Sequence, residues 1–208
     1  MDGQTFLDDL RDEHETELSR LGSSKAVYAL TGGEMDGEAV RDGTARELHT
    51  VASVLEEWAE AADGDVATLF SEVATFTADT ANTLDEASAP PQDTEVTNIT
   101  AEALEGLDEE PARIAGLAAA LLVVGKLSEQ LVGYFVGDAD RAGAQEFREI
   151  RDQLQTSRDD AAEQLETRVS HGAESTAAHE AASDVVESAY DWYVETLEAM
   201  GVEPKNVC

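Results

Sequence analysis

ARIAGLAAALLVVGKLSEQLVGYFV, residues 112–136, is the one part of a strongly acidic chain that is apolar on nearly every side. No charged residue occurs from Ile114 to Gly125. A helix without a polar face has to be enclosed by other elements, so this stretch predicts the central helix of a bundle, with amphipathic helices packed around it. Its uninterrupted apolar core is short of the roughly 20 residues that span a bilayer, and Lys126 and Glu129 follow closely, which argues against a membrane span. In the second half Lys126, Glu129 and Gln130 fall on one side of the helix.

On either side of this stretch the apolar residues recur at three- and four-residue spacing, the signature of amphipathic helices. Phe6, Leu7, Leu10, His14, Leu18 and Leu21 mark one face of a helix from Asp2 to about Leu30, loosened at Gly22-Ser23-Ser24. Gly32-Gly33 ends it, and Asp36 is placed to cap a second helix whose stripe runs Val40, Leu48, Val51, Leu55, Trp58 and Ala62. Gly64 and Asp65 separate that helix from a third, which carries Val66, Leu69, Phe70, Val73, Phe76 and Leu84. Threonines at 75, 77, 80 and 83 weaken its intrinsic propensity. Residues 87–100 contain Pro90-Pro91 and no apolar period, and read as a crossover linker. A short helix over 101–107 precedes the central one, which has Pro111 in its first turn. Two further helices follow, from about Asp140 to Val169 and from about Glu174 to Met200, then a tail over 202–208. Strand alternation is not sustained anywhere. The prediction is a single all-α domain over 1–208, a multi-helix bundle with an apolar central helix and a long crossover after the third helix.

The charge balance bounds the partners. The 208 residues hold 46 acidic and 13 basic side chains, a formal net charge of -33, and only three lysines, Lys25, Lys126 and Lys205. Self-repulsion of that size opposes compaction in dilute buffer, whereas in molar salt the Debye length falls to about 3 Å. The even spread of acid along the chain points to a salty cytoplasm rather than to an acidic tail. A polyanion also repels phosphate, and no basic cluster with interleaved aromatics offsets this, so nucleic acid is excluded as a partner. The first residues, MDGQTFLDDL, lack a basic segment followed by an apolar core, which predicts no secretory signal and a cytoplasmic location. Cys208 is the only cysteine, so neither an internal disulfide nor paired CxxC knuckles exist.

Helical bundles build metal centres from carboxylates and histidines on facing helices, with Glu-x-x-His placing both ligands on one face. Of the four histidines, His14, His49, His171 and His179, none follows a glutamate by three residues. The nearest arrangement is reversed, His14-x-x-Glu17, on the face that holds Leu10, Leu18 and Leu21. It reads either as a half-buried histidine bonded to a nearby carboxylate or as two metal ligands. Glu129, among Leu122, Gly125, Val132, Gly133 and Val136, reads either as the partner of Lys126 in an internal ion pair or as a site for metal or proton chemistry. Gly116, Gly125 and Gly133 thin the central helix and suggest close helix packing. No nucleophile motif and no phosphate loop occurs.

Three pieces, RLGSSKAVYALTGGEM (20–35), VGYFVGDADRAGAQEFREIRDQL (132–154) and YDWYVETLEAMGVEPKNVC (190–208), resemble haloarchaeal proteins grouped with the rubrerythrins in the ferritin-like superfamily. The resemblance implies a ferritin-like bundle, a homo-oligomer in many relatives, whose active members carry a carboxylate-bridged di-iron centre. Carried onto this chain, it makes Glu47 and Glu129 the isolated glutamates. It sets Glu72-Val-Ala-Thr75 and Glu149-Ile-Arg-Asp152 where Glu-x-x-His is expected. The candidate metal ligands are therefore His14, Glu17, Glu47, Glu72, Glu129 and Glu149, for iron or manganese. With both histidines missing from the motifs, the expectation is a non-catalytic bundle without a cofactor. The alternative is a rubrerythrin-like peroxide or oxygen redox protein with an atypical carboxylate-rich site.

Overall fold

A computed structural model of the chain describes residues 2–86, 99–169 and 172–204. Within these the chain is all-helical: α1 (Gly3–Glu13), α2 (Glu15–Leu21), α3 (Ser24–Leu30), α4 (Gly37–Ala61), α5 (Gly64–Glu86), α6 (Ala101–Glu105), α7 (Glu110–Gly137), α8 (Arg141–Arg168) and α9 (Ala173–Ala199). Most of the 87–100 linker, His171 and the last residues of the tail, Cys208 among them, lie outside the described residues.

The helix starts follow local chemistry. Asp36 caps α4 by accepting from the backbone N–H of Glu38 and Ala39, and Asp140 caps α8 in the same way from Ala142 and Gly143. Asp2 does this for α1 through Thr5. Pro111 sits in the first turn of α7, where its missing donor costs nothing. The weak propensity of α5 is overcome. Thr68, Thr75, Thr77 and Thr83 each turn the hydroxyl back onto the carbonyl four residues earlier, which lets Thr77 share the buried face with Val66, Phe70, Val73 and Leu84.

The first predicted helix is three. It breaks at His14 (φ -105°, ψ 29°) and again at Gly22-Ser23. At the break the His14 N–H still reaches the Leu10 carbonyl, and its own carbonyl accepts from Leu18. Tertiary packing gives the reason: α1 lies mainly against α8, while α2 lies on α9 and α7.

Four long helices make the frame. α4 and α5 form one antiparallel pair and α7 and α8 another, each joined by a short turn. Arg41 near the start of α4 bonds Glu146 near the start of α8 at 2.9 Å, so those two run parallel. Gly37 in the first turn of α4 packs on Phe135 in the last turns of α7, and Arg113 at the start of α7 lies over Trp58 at the end of α4. Hence α4 and α7 are antiparallel, and the order in the frame is up, down, down, up. The chain leaves α5 at one end of the bundle and enters α7 at the other. α9 then packs on α7 from outside the frame, and α6 lies against α4, α7 and α9.

α7 is the centre, as its composition requires. Ile114, Ala115, Leu117, Ala118 and Ala119 are each fully shielded, and the buried side chains from α1 through α9 form one continuous core. By length and hydropathy α7 alone among the described helices could cross a membrane, yet 83% of its most apolar window is buried in the bundle. Gly116 is a true packing glycine, because a Cβ there would lie 2.3 Å from Leu107 Cδ1. Gly125 and Gly133 are not: a Cβ on either would meet nothing within 4 Å. The close packing expected at those two positions is absent.

Candidate functional site

Among the described residues, no three His, Cys, Asp or Glu side chains are placed to share a metal ion. The six candidate ligands therefore do not form one centre, and their surroundings differ. Glu72 and Glu149 are exposed, with Glu149 accepting from Gln145 on its own helix at 2.8 Å. Thr75 and Asp152, in the places where the resemblance expects histidine, are exposed too. Both degenerate motifs thus lie on the outer surface of α5 and α8, while the inward face of α5 is Phe70, Val73, Thr77, Ala81 and Leu84. A di-iron centre does not fit this interior, since no imidazole and no second carboxylate reaches it from α5 or α8.

Glu129 corrects the expected internal ion pair. Its contact with Lys126 is present at 3.1 Å, but the two side chains are 44% and 36% exposed. Of the apolar neighbours that suggested burial, Leu122 and Gly125 are buried, but Val136 is 56% exposed and Gly133 is open. Both side chains reach solvent, so the pair is worth little to stability.

Glu47 is the opposite case. It lies in the middle of α4 and is 1% exposed. Both carboxylate oxygens are taken: Oε2 accepts the Ile99 N–H at 2.7 Å, and Oε1 accepts the Thr100 N–H at 3.1 Å and the Thr100 hydroxyl at 2.6 Å. Burial pushes the Glu47 carboxyl above its ordinary value, against the pull of these three donors. The arrangement anchors the residues that lead into α6. Thr100 is the N-cap of α6 but makes no capping bond with its own side chain. The Thr100 N–H and hydroxyl go instead to a carboxylate 53 positions earlier in the chain. Glu47 is a clasp that holds the end of the crossover against α4, with both carboxylate oxygens engaged.

His14 is buried at 4% exposure, deeper than the half-buried position expected of it, and its Nε2 has no hydrogen-bond partner. Glu17 is only partly buried and does not bond it. The carboxylate beside it, Glu13, is instead committed to His179 on α9 at 2.6 Å, and that bond holds the Glu13 carboxyl below the usual carboxylate range. An orphaned ring nitrogen in an apolar site costs about 1–3 kcal/mol. Accordingly His14→Leu is expected to raise stability by about 1 kcal/mol, read as a higher denaturation midpoint. A loss of stability in that variant would mean that His14 has a polar partner.

The residues that sequence alone did not mark are Ile99 and Thr100, read as linker, and Arg41. Arg41 reaches Glu146, Asp140 at 3.5 Å and the Gly37 carbonyl, and its guanidinium lies 4.7 Å above the Phe135 ring. Asp140 in turn is held below the usual carboxylate range, chiefly by the Gly143 N–H, with Arg41 adding to it. This cluster locks the end of the frame where α4, α7 and α8 meet.

A groove of about 370 Å³ runs between α3 and the last turns of α7, walled by Val27, Met35 and Tyr134 and floored by Gly133 and Gly137. The Tyr134 hydroxyl donates to the Met35 carbonyl at 2.8 Å. Met35 (φ 49°), in its wall, and Ala139 (φ 59°), just past the end of α7, are the non-glycine residues with left-handed backbone among the described residues. No family model, no curated protein and no solved structure matches this chain.

Proposed function

We propose that the chain is a non-catalytic helical bundle of the ferritin-like kind, serving as a binding or structural module that self-associates in a salty cytoplasm. The observation that carries this reading is the use made of Glu47. The one fully buried carboxylate of the described frame spends both oxygens on the backbone and hydroxyl of Ile99 and Thr100. An up-down-down-up frame with a crossover between its two hairpins is what the ferritin-like comparison needs. The outward-facing Glu72 and Glu149 favour a bundle that keeps such a frame and has no ligand set inside it.

Elemental analysis of the chain purified in molar salt, beside Glu47→Gln, tests this. Iron and manganese well below one atom per chain in both proteins is the expected result. Stoichiometric metal that Glu47→Gln removes would overturn it in favour of the rubrerythrin-like redox alternative.

A further inference from the structure

The groove between α3 and the last turns of α7 has one charged side chain in its lining, Asp138, and is otherwise neutral. Asp138 is the C-cap of α7 and makes no ion pair among the described residues. It stands where the carbonyl end of a 28-residue helix adds a partial negative charge of its own. The Tyr134 hydroxyl spends its proton on the Met35 carbonyl, so it has only lone pairs left to offer. Burial holds the Tyr134 phenol above its ordinary value, and the charges of Asp138 and Asp36 add to this, which marks that end of the groove as negative although Arg41 is near. The rest of the wall is apolar: Val27, the Met35 thioether and the Tyr134 ring, with bare backbone at Gly133 and Gly137.

We propose that this groove binds a small organic cation, an alkyl- or arylammonium ion whose charged head meets Asp138 and whose apolar body lies along Val27, Met35 and the Tyr134 ring. The inference rests on the binding role proposed above and gives it a site and a ligand class. Charge complementarity decides the class. An anion would meet a carboxylate, lone pairs and the carbonyl end of a helix, with no cation in the lining to receive it. A divalent metal ion is held by several oxygen ligands, and a single carboxylate among apolar walls does not supply them. An ammonium ion needs one acid and gains from an aromatic face beside it. The space suits such a molecule, with about 370 Å³ in all. Its length from Gln130 to Asp138 is roughly 12 Å of α7 at 1.5 Å per residue. The wall is also set in advance, since the Met35 N–H donates to the Thr31 hydroxyl at 3.3 Å while its carbonyl holds Tyr134.

NMR titration of the full chain with n-hexylammonium chloride tests the proposal, in molar sodium chloride so that diffuse attraction to a polyanion is screened. Saturable shifts confined to the amides of Val27, Gly133, Tyr134 and Gly137 are expected, with weaker binding of hexanol and none of hexanoate. Gly133→Leu fills the floor, where a Cβ meets nothing within 4 Å, and is expected to abolish saturation with a melt no lower than wild type. Asp138→Asn is expected to weaken binding about fivefold. Asp152→Asn, at an exposed carboxylate on α8, should leave it unchanged. Shifts that do not saturate, hexanoate that binds as well as hexylammonium, or equal losses in the two Asn variants overturn the proposal. So does a Gly133→Leu variant that binds like wild type. Each of these failures leaves self-association and the metal measurement as they stand.

Discussion

Glu47→Ala is expected to destabilise the fold by about 3–5 kcal/mol, a large part of the 5–15 kcal/mol that holds a domain of this size. The substitution strands two backbone donors at residues that are 2% and 0% exposed, Ile99 and Thr100, along with the Thr100 hydroxyl, and leaves a cavity beside α4. Against this stands relief from burying a charge. Relief is the smaller effect, because the carboxyl can lower that penalty by taking up a proton, whereas the orphaned amides have no such route. Chemical denaturation measures the loss. Amide exchange locates it, with Ile99 and Thr100 exchanging much faster than the core of α7. A variant as stable as wild type would show that the clasp carries no stability.

Glu47→Gln separates acceptor from charge. The amide keeps one acceptor and turns an NH₂ toward a donor, so a smaller loss is expected than with alanine. The pH dependence carries a sign. A carboxyl whose pKa is raised on folding contributes its full stability below its unfolded value, near 4.5, and loses it as pH rises toward the folded value. Wild type should therefore gain on Glu47→Gln as pH falls toward 4.5. The opposite trend would mean that the clasp works best ionised.

Dilution of salt is expected to have the other large effect. The chain carries 46 acidic groups and 13 cations, so most carboxylates have no cation to meet. The ion pairs present are mostly solvated, as with Asp152 and Asp159 at 63% and 57% exposure, and such pairs contribute at most about 1 kcal/mol each. They do not offset the summed repulsion. At about 0.1 M salt the screening length is near 10 Å and neighbouring surface charges repel, whereas at about 1 M it is near 3 Å and they do not. The thermal midpoint should climb steeply over that range, with helical signal falling at the low end. A midpoint that does not move with salt would remove the argument from charge to a salty interior.

Much of the fold was legible because its causes are local. Helix periodicity, the caps at Asp36 and Asp140 and Pro111 at the head of α7 act within a few residues, and each element starts or ends close to where they place it. The break at His14 was not legible. Its cause is that α1 and α2 rest on different neighbours, and nothing in the sequence around His14 records that. The candidate site fared differently again. The resemblance marked Glu47, Glu72, Glu129 and Glu149 alike, yet one is buried and three are at the surface.

For the stretch 112–136, then, sequence alone determined that it is a helix, that it is central and that its uncharged run from Ile114 to Gly125 is enclosed. A run of side chains with no polar group has no other stable place in water. Whether its second half is also enclosed depended on how far the neighbouring helices extend along it, and only the tertiary structure decided that. Lys126 and Glu129 came out solvated and Gly133 open, while the carboxylate that is buried, Glu47, found its donors 52 and 53 positions away. Hydrophobicity is a property each residue carries with it. The partner of a buried polar group is a property of the packing, because a hydrogen bond needs two groups brought within about 3 Å.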